Sequence, residues 1–525
     1  MRTATTFAAV ALVLGAMPPV SAAGQPGLDP GEAARRATGP AAPLAETGEN
    51  DFRISFMEGT GDPDFDAGTA AMAYNPAADQ FLVVWRGEFL PAVPCPPGGS
   101  EIEIFAHLID PATGDPLGTP VIVSSAGPAC DPEYRVGSPA AAYNPFDNEY
   151  LVVWHGEDDV GGLVEGETEI FGQRLSATTL VGIGADDFRI SGMGGTGDPA
   201  YDAFAPAVAF NPIQSEYLVV WWGDDDTGPL VEGESEIFGQ RLDADGVAMG
   251  VDDFPISDMG GFGDPGFAAS IPAVVHNPSA DEYLVVWMGD DNVGGLIDQE
   301  FEIFGQRLFA NGNQAGDNDF RISDMGENGS TDFFAFQPAV TYNPDDDEYL
   351  VVWEGLDDAG SPDGQEIFAQ RLDATGAEVG ANDIRVSDMG ASGTTDHDAF
   401  AAAVVYNPAD REYLVAWHGS DDGLEIEEYE IFVQRLDATG AEVGVNDLRI
   451  SDMGGTGDPD FDAEDPAVAW SGSGNRYLVV WEGDDDVGGL VEGELEIFGQ
   501  MLVGTAVFAD GFESGDTGAW SATVF

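Results

Sequence analysis

Glu216-Tyr217-Leu218-Val219-Val220-Trp221 is the stretch whose reading decides the fold of this chain. It is β-branched and aromatic, and both of its alternating faces are apolar, so it reads as a strand covered on two sides. The same stretch returns along the sequence. Its tryptophan falls at Trp85, Trp154, Trp221, Trp287, Trp353, Trp417 and Trp481, at intervals of 69, 67, 66, 66, 64 and 64 residues. A period of this length marks a repeat architecture in which like units stack into one body.

Around this strand each unit carries three others. In the third copy, Pro206 to Asn211 is a short run of small apolar residues ended by the Asn211-Pro212 turn signal. Glu236-Ile237-Phe238-Gly239-Gln240-Arg241-Leu242 reads as a third strand, closed by the turn Asp243 to Gly246. Phe254-Pro255-Ile256-Ser257 reads as a fourth; elsewhere it is Phe-Arg-Ile-Ser, as at Phe188 to Ser191 and Phe320 to Ser323. Four short strands without a helical period fit a propeller blade. The small residues of the first strand suit the crowded centre of a ring. A solenoid of sheets is the alternative, at the cost of two open ends. The termini favour a ring: Phe52 to Ser55 is an orphan fourth strand, and the last unit stops at its third, Glu496 to Leu502. The expectation is an all-β, seven-bladed β-propeller of four-stranded antiparallel blades, closed by the N-terminal strand completing the last blade.

The chain has 525 residues, with 96 acidic and 17 basic ones and a formal charge of −79. Every basic residue is arginine. Such a charge is repelled by nucleic acid and by anionic membranes, and its natural partners are cations and cationic surfaces. Arg2, the apolar run Phe7 to Met17 and the small residues Val20 to Ala23 read as a secretory signal, residues 1–23. Residues 24–50, rich in Ala, Pro and Gly, read as a flexible linker, 51–503 as the propeller and 504–525 as a tail. No later stretch reads as a transmembrane helix, so no membrane insertion is expected. The expected location is extracellular, or periplasmic or at the cell surface of a Gram-negative bacterium. In an oxidising compartment the two cysteines, Cys95 and Cys130, are most simply a disulfide.

In a ring of like units, residues that repeat are scaffold, and residues that break the pattern are better candidates for a unique site. Arg174, Arg241, Arg307, Arg371 and Arg435 share one slot, and Arg53, Arg189, Arg321, Arg385 and Arg449 another. They are expected to pair with carboxylates of the same or the next blade. Arg86, Arg135, Arg411 and Arg476 are unpatterned.

The carboxylates gather in two recurring loops expected on one face, one between the second and third strands and one between blades. Carboxylates this close repel, and hard oxygen-seeking cations relieve the repulsion. Asp224, Asp225, Asp226, Glu232 and Glu234, with Asp198 or Asp202 nearby, form a candidate calcium-ligand set. Asp484, Asp485, Asp486, Glu492 and Glu494 are its counterpart in the last blade. The bland alternative is a set of solvated loops with no specific ion.

For catalysis the sequence offers less. It has no phosphate loop, no strong nucleophile motif and no Cys/His zinc spacing. His155 and His418 follow the strand tryptophan, where other blades carry Arg86, Trp222, Met288, Glu354 and Glu482, and they read as surface decoration. His397, between Asp396 and Asp398, is a weak metal-ligand signal.

The repeat Asn-Pro, Glu-Tyr-Leu-Val-Val-Trp, Glu-Ile-Phe-Gly-Gln-Arg-Leu resembles repeats in secreted bacterial β-propeller proteins, which implies the fold and no activity. In plan the chain is similar to the seven-bladed head of integrin α subunits, but it lacks their Asp-x-Asp-x-Asp-Gly signature. It also lacks the Ser-x-Asp-x-Gly-x-Thr-Trp box of sialidase propellers. The tail, Val507 to Ser521, resembles a C-terminal segment of exported Gram-negative proteins and implies export.

The first functional expectation is a secreted, non-enzymatic binding, adhesion or surface-structural propeller with an acidic face that is a candidate for calcium binding and a protein or carbohydrate ligand. The alternative is a carbohydrate-active enzyme, a glycoside hydrolase or lyase, using a carboxylate pair on that face or at the channel mouth. A third reading is a salt-adapted structural protein. An enzyme should gather unlike residues from several blades around one pocket; if His397, Arg135, Arg411 and the Cys95–Cys130 region lie far apart, the enzyme reading loses its remaining support in the sequence.

Overall fold

The computed structural model describes residues 44–57, 65–90, 100–128, 130, 134–158, 162–225, 230–357, 364–389, 397–421, 428–455, 460–485, 489–491 and 493–504. The expected signal peptide, the linker up to residue 43 and the tail beyond Gly504 lie outside the described residues. Within them are 28 strands, from β1 (Leu44–Arg53) to β28 (Glu496–Gly504), in seven antiparallel four-stranded sheets. Sheet order follows the chain in six blades. In the seventh, β1 lies beside β28, so the N-terminal strand closes the ring. The protein is a seven-bladed β-propeller. Its closing strand starts at Leu44, inside the segment read as linker, because Leu44 to Thr47 pair with Gly504 to Met501.

The blades pack through the strand that opened the sequence reading. In blade five, Leu350 and Val352 point one way and meet Tyr413, Val415 and Trp417 of blade six. The closure repeats this: Leu478 and Val480 of blade seven pack with Phe81, Val83 and Trp85 of blade one. Burying one such side chain is worth roughly 1.5–3 kcal/mol, which a strand with two apolar faces realises only between two neighbours. Side-chain hydrogen bonds add inter-blade ties: the Asn343 amide donates to the Tyr413 hydroxyl at 3.0 Å and the Asn277 amide to the Tyr349 hydroxyl at 3.0 Å.

Each letter of the third-strand repeat has a structural task. In blade three, the Glu236 carboxylate accepts from the Ser257 hydroxyl and from the Met259 amide at 2.8 Å, and Ser257 Oγ accepts from the Ile237 amide at 2.7 Å. The same Glu–Ser pair occurs in all seven blades. Gly239 leaves room for Ile256 and Phe254. Gln240 donates to the Arg241 carbonyl at 2.9 Å and the Met249 carbonyl at 3.1 Å. Its Oε1 accepts from the Asp253 amide at 3.3 Å. The ten patterned arginines all pair with glutamates of their own blade, as Arg241 does with Glu216 and Arg385 with Glu366.

The fourth strand differs from expectation. In blade three it runs Ala248–Pro255, not 254–257. It is bulged at Asp253, whose φ is +43°, and pairs with the third strand only at its two ends. Residues 248–252 are exposed or half-buried, Val251 among the exposed ones, while Ile256 and Ser257 turn inward to the core and the Glu236 pair.

Candidate active site

In blades three and seven the two acidic loops meet on one face, and there their carboxylates hold the loops by accepting backbone amides. Asp224 accepts from the amides of Asp202 at 3.2 Å and Gly233 at 3.0 Å. Asp225 accepts from Gly194 at 2.9 Å, and Asp202 from Thr168 at 2.9 Å. Glu234 takes the amides of Val231 at 2.9 Å and Gly263 at 2.7 Å. Asp198 accepts from Ala200 at 3.3 Å, and Glu232 is exposed at the loop tip. In the last blade Asp484 accepts from Asp462 and Gly493, Asp485 from Gly454, and Glu494 from Val491. Asp226, Asp486 and Glu492 lie outside the described residues. Among the described residues no three His, Cys, Asp or Glu side chains converge as a metal cluster.

A different set of residues converges near the ring axis, in the slot after the strand tryptophan. The residue opposite this slot on the innermost strand is followed by a bulge residue with positive φ in every blade: Thr69, Ser138, Ala205, Ile271, Gln337, Ala401 and Asp465, at +45° to +51°. That conformation aims the bulge amide at the slot side chain of the preceding blade. Ala401 donates to Glu354 at 2.7 Å, Asp465 to His418 at 3.1 Å, Thr69 to Glu482 at 2.6 Å and Ala205 to His155 at 3.4 Å. A Cβ at Gly68 would lie 2.6 Å from Glu482 Oε2, so a larger residue there would shift that carboxylate.

The ring is therefore uneven at this end. Blades five, six, seven and one present Glu354, His418, Glu482 and Arg86. Blade seven adds Glu464, opposite Glu482, and Asp465. Blades three and four present Trp222 and Met288. Aromatic rings flank the polar arc: Phe400 lies 5.4 Å from the His418 ring and 5.9 Å from Tyr429, and Phe204 lies 4.9 Å from Trp222. Glu354 of blade five acts electrostatically on Asp465 of blade seven, past blade six, as only groups near the axis can. A cavity of about 350 Å³ beside Asp462, Glu464, Glu482 and Asp484 opens towards the acidic loops.

Burial controls the ionisation of this set. Glu354 and Glu464 are pushed up to about 7 by burial, helped by the charges of Asp398 and of Glu482 respectively. Asp465 is 8% exposed and is driven well above the usual carboxylate range by burial and by Glu482, Glu464 and Glu354. Glu482 is also raised by burial, but the Thr69 amide and the Arg86 guanidinium favour its ionised form. His418 is lowered to about 3 by burial and is neutral. Burial raises both Asp465 and Glu482, and of the two only Glu482 has an amide and a guanidinium that favour its anion.

His155 and His418 are not surface decoration. His418 is buried and His155 half-buried, and both accept an amide from the next blade. Of the residues singled out as an enzyme's gathering, His397 and Arg411 lie on opposite faces. His397 Nδ1 is 3.2 Å from Ser420 Oγ on the acidic face, while Arg411 pairs with Asp346 at 2.6 Å in a turn on the opposite face. Cys95 lies outside the described residues; the Cys130 amide donates to Glu101 at 2.8 Å. The signal that finds this cluster was in the sequence: one slot holding Arg, His, Trp, Met, Glu, His and Glu, at the end of a strand whose other positions scarcely vary.

No family model matches the chain, and no curated protein does. Among the solved structures it is similar to a polysaccharide lyase, a PL25 ulvan lyase bound to -[GlcA(1-4)Rha3S]-, at 8% identity and a TM-score of 0.45, over 88% of this chain and 96% of that one. It is similar to the NanB sialidase of Streptococcus pneumoniae at 10% identity and a TM-score of 0.42, over 87% and 71%. It is similar to a prolyl endopeptidase at 11% identity and a TM-score of 0.39; the match covers 84% of this chain and only half the length of that protein. Likeness at this level concerns the architecture and does not extend to an activity.

Proposed function

We propose that this chain is an exported carbohydrate-active propeller that cleaves glycosidic bonds with the buried carboxyl pair of blade seven. The observation that carries this reading is the pairing of Asp465, which only burial and like charges act on, with Glu482, which an amide and Arg86 stabilise as the anion. Asp465 is the proton donor to the leaving oxygen. Glu482 is the base or nucleophile, as two-carboxylate glycoside cleavage requires. His418, neutral and bonded at Nδ1, presents Nε2–H as a fixed donor, and Phe400 and Tyr429 offer faces on which a sugar ring stacks. The charge of −79 disfavours polyanionic substrates, so neutral or amino-bearing glycans are the class expected.

The test is turnover of a panel of neutral, amino and uronate-rich glycans, read as new reducing ends for hydrolysis and as ultraviolet-absorbing unsaturated ends for elimination. Binding without turnover across the whole panel would replace this reading with the non-enzymatic one. That second reading, a binding or adhesion module, draws on the near-complete burial of Asp465 and Glu482 at 8% and 5% exposure.

A further inference from the structure

The first strand of each blade packs against the first strands of its neighbours and so bounds the channel. At the acidic-loop end each of these strands carries one residue opposite the variable slot. In blades one and two it is glycine, Gly68 and Gly137, and in blade four Ser270. In blades three, five and six it is phenylalanine, Phe204, Phe336 and Phe400. Blades one, two and four reach the same fold with no ring at this position, so blade packing does not demand the phenylalanines. All three are half-buried. Apolar surface left open around one concave mouth marks a binding surface.

The rings are held from the side. Phe204 lies between the rings of Trp222, at 4.9 Å, and His155, at 5.6 Å. Phe336 stacks on Phe334 at 4.5 Å and meets Phe301 edge-on at 5.5 Å. In a ring of seven, blade three lies across the axis from blade seven, which carries Asp465 and Glu482. Phe400 stands beside that pair, on blade six. Phe204 and Phe336 stand further round the mouth, beyond the sugars that flank a bond held at blade seven. A sugar presents a C–H face and a rim of hydroxyl donors. Aromatic rings set among carboxylate acceptors match both parts.

We infer that Phe204 and Phe336 hold sugar units remote from the bond that is cut, so that the substrate is a glycan chain lying across the channel mouth and cleaved internally. The inference rests on the proposed glycan cleavage and names its substrate class as chains rather than single terminal sugars. Chitooligosaccharides, cello-oligosaccharides and manno-oligosaccharides of two to six units are the probes, titrated calorimetrically. In a series that binds, six units are expected to bind about tenfold tighter than two, the margin of one or two ring contacts. Phe204→Ser and Phe336→Ser install the residue that blade four carries. Each should lose part of the gain with length while the affinity for two units holds, and Phe204→Tyr should keep the gain. Phe204→Leu, which keeps apolar volume and removes the ring, answers the same question should Phe204→Ser not fold. Affinity that does not rise with length in any series, or a full gain in both serine variants, would overturn the inference. So would release of single end units only, since internal cuts leave products of two or more units. A ring-dependent gain with length but no new chain ends from any glycan would overturn the cleavage and leave the chain-binding surface. Turnover without a gain from length would do the reverse.

Discussion

The backbone amide of Asp465 donates to Nδ1 of His418 at 3.1 Å, across the boundary between blades six and seven. The bond makes Nδ1 an acceptor and leaves the proton on Nε2, and burial keeps the ring neutral by lowering it to about 3. Under the proposed glycan cleavage His418 serves as a donor to substrate and not as a base, which leaves the proton chemistry to Asp465 and Glu482.

For that pair, Asp465→Asn and Glu482→Gln are each expected to lower kcat by about 10²–10⁴, the usual share of positioned acid–base groups, with little change in KM. Activity requires Glu482 ionised and Asp465 protonated, so the pH profile is a bell. Glu464→Gln removes a charge that raises Asp465 and that also faces Glu482 across the strand pair, so both limbs should move to lower pH. An unmoved alkaline limb would remove Asp465 from the donor role.

Stability should rise on mild acidification. The buried glutamates of the Glu–Ser pairs are raised above 4.5 by burial: Glu103, Glu169 and Glu302 to about 7, Glu430 to about 8 and Glu236 to about 9. A carboxyl whose folded pKa exceeds its unfolded one binds more protons when folded. Its contribution is complete below about 4.5 and is lost as pH rises through 7 to 9. Several groups each worth about 1–3 kcal/mol, against about 1 kcal/mol per degree for a chain this long, give a Tm several degrees higher at pH 5.5 than at pH 9. Melting curves at constant ionic strength measure it, and a Tm that climbs with pH would contradict the burial argument.

Much of this architecture was legible because each repeated letter has one physical task. The Tyr-Leu-Val-Val-Trp strand announces two packed faces, and the paired arginines follow from sharing a register with glutamates. The fourth strand was misplaced because its outer half faces water, so its only visible signal was Phe254 to Ser257, where the chain leaves the sheet. The candidate site was harder to read. Asp465 is one aspartate among many acidic residues, and nothing local says that a bulge with φ of +51° buries it beside Glu482. The acidic loops drew attention by number, yet their carboxylates are engaged by amides. The cluster that converges is drawn from one variable slot on separate blades, with Glu464 and Asp465 added by the innermost strand of blade seven, and only ring closure brings those blades together.

A Cys95–Cys130 bridge would tie down the segment in which blade one departs from the others. Intact mass without reductant is expected to fall short of the reduced mass by two hydrogens. A bridge closing a loop of this length contributes roughly 2–4 kcal/mol, so reduction should lower Tm measurably. Two free thiols by alkylation would discard the bridge.

Calcium at the acidic loops is the proposal that the geometry makes most demanding. A hard cation needs several oxygens turned toward one point. Asp224, Asp202 and Glu234 turn theirs toward amides, and in the last blade Asp484 does the same. Binding therefore has to exchange amide bonds for metal bonds, which predicts affinity in the millimolar range. After chelation, calcium at micromolar levels should leave Tm unchanged. At about 100 times such a dissociation constant it would add roughly 2.7 kcal/mol if it binds the folded chain alone. Magnesium and sodium chloride at matched ionic strength separate this from screening of the −79 charge. A response that tracks ionic strength alone would leave the loops as self-held scaffold. Loss of a calcium-specific response in Asp224→Asn with Glu234→Gln would place the ion among them.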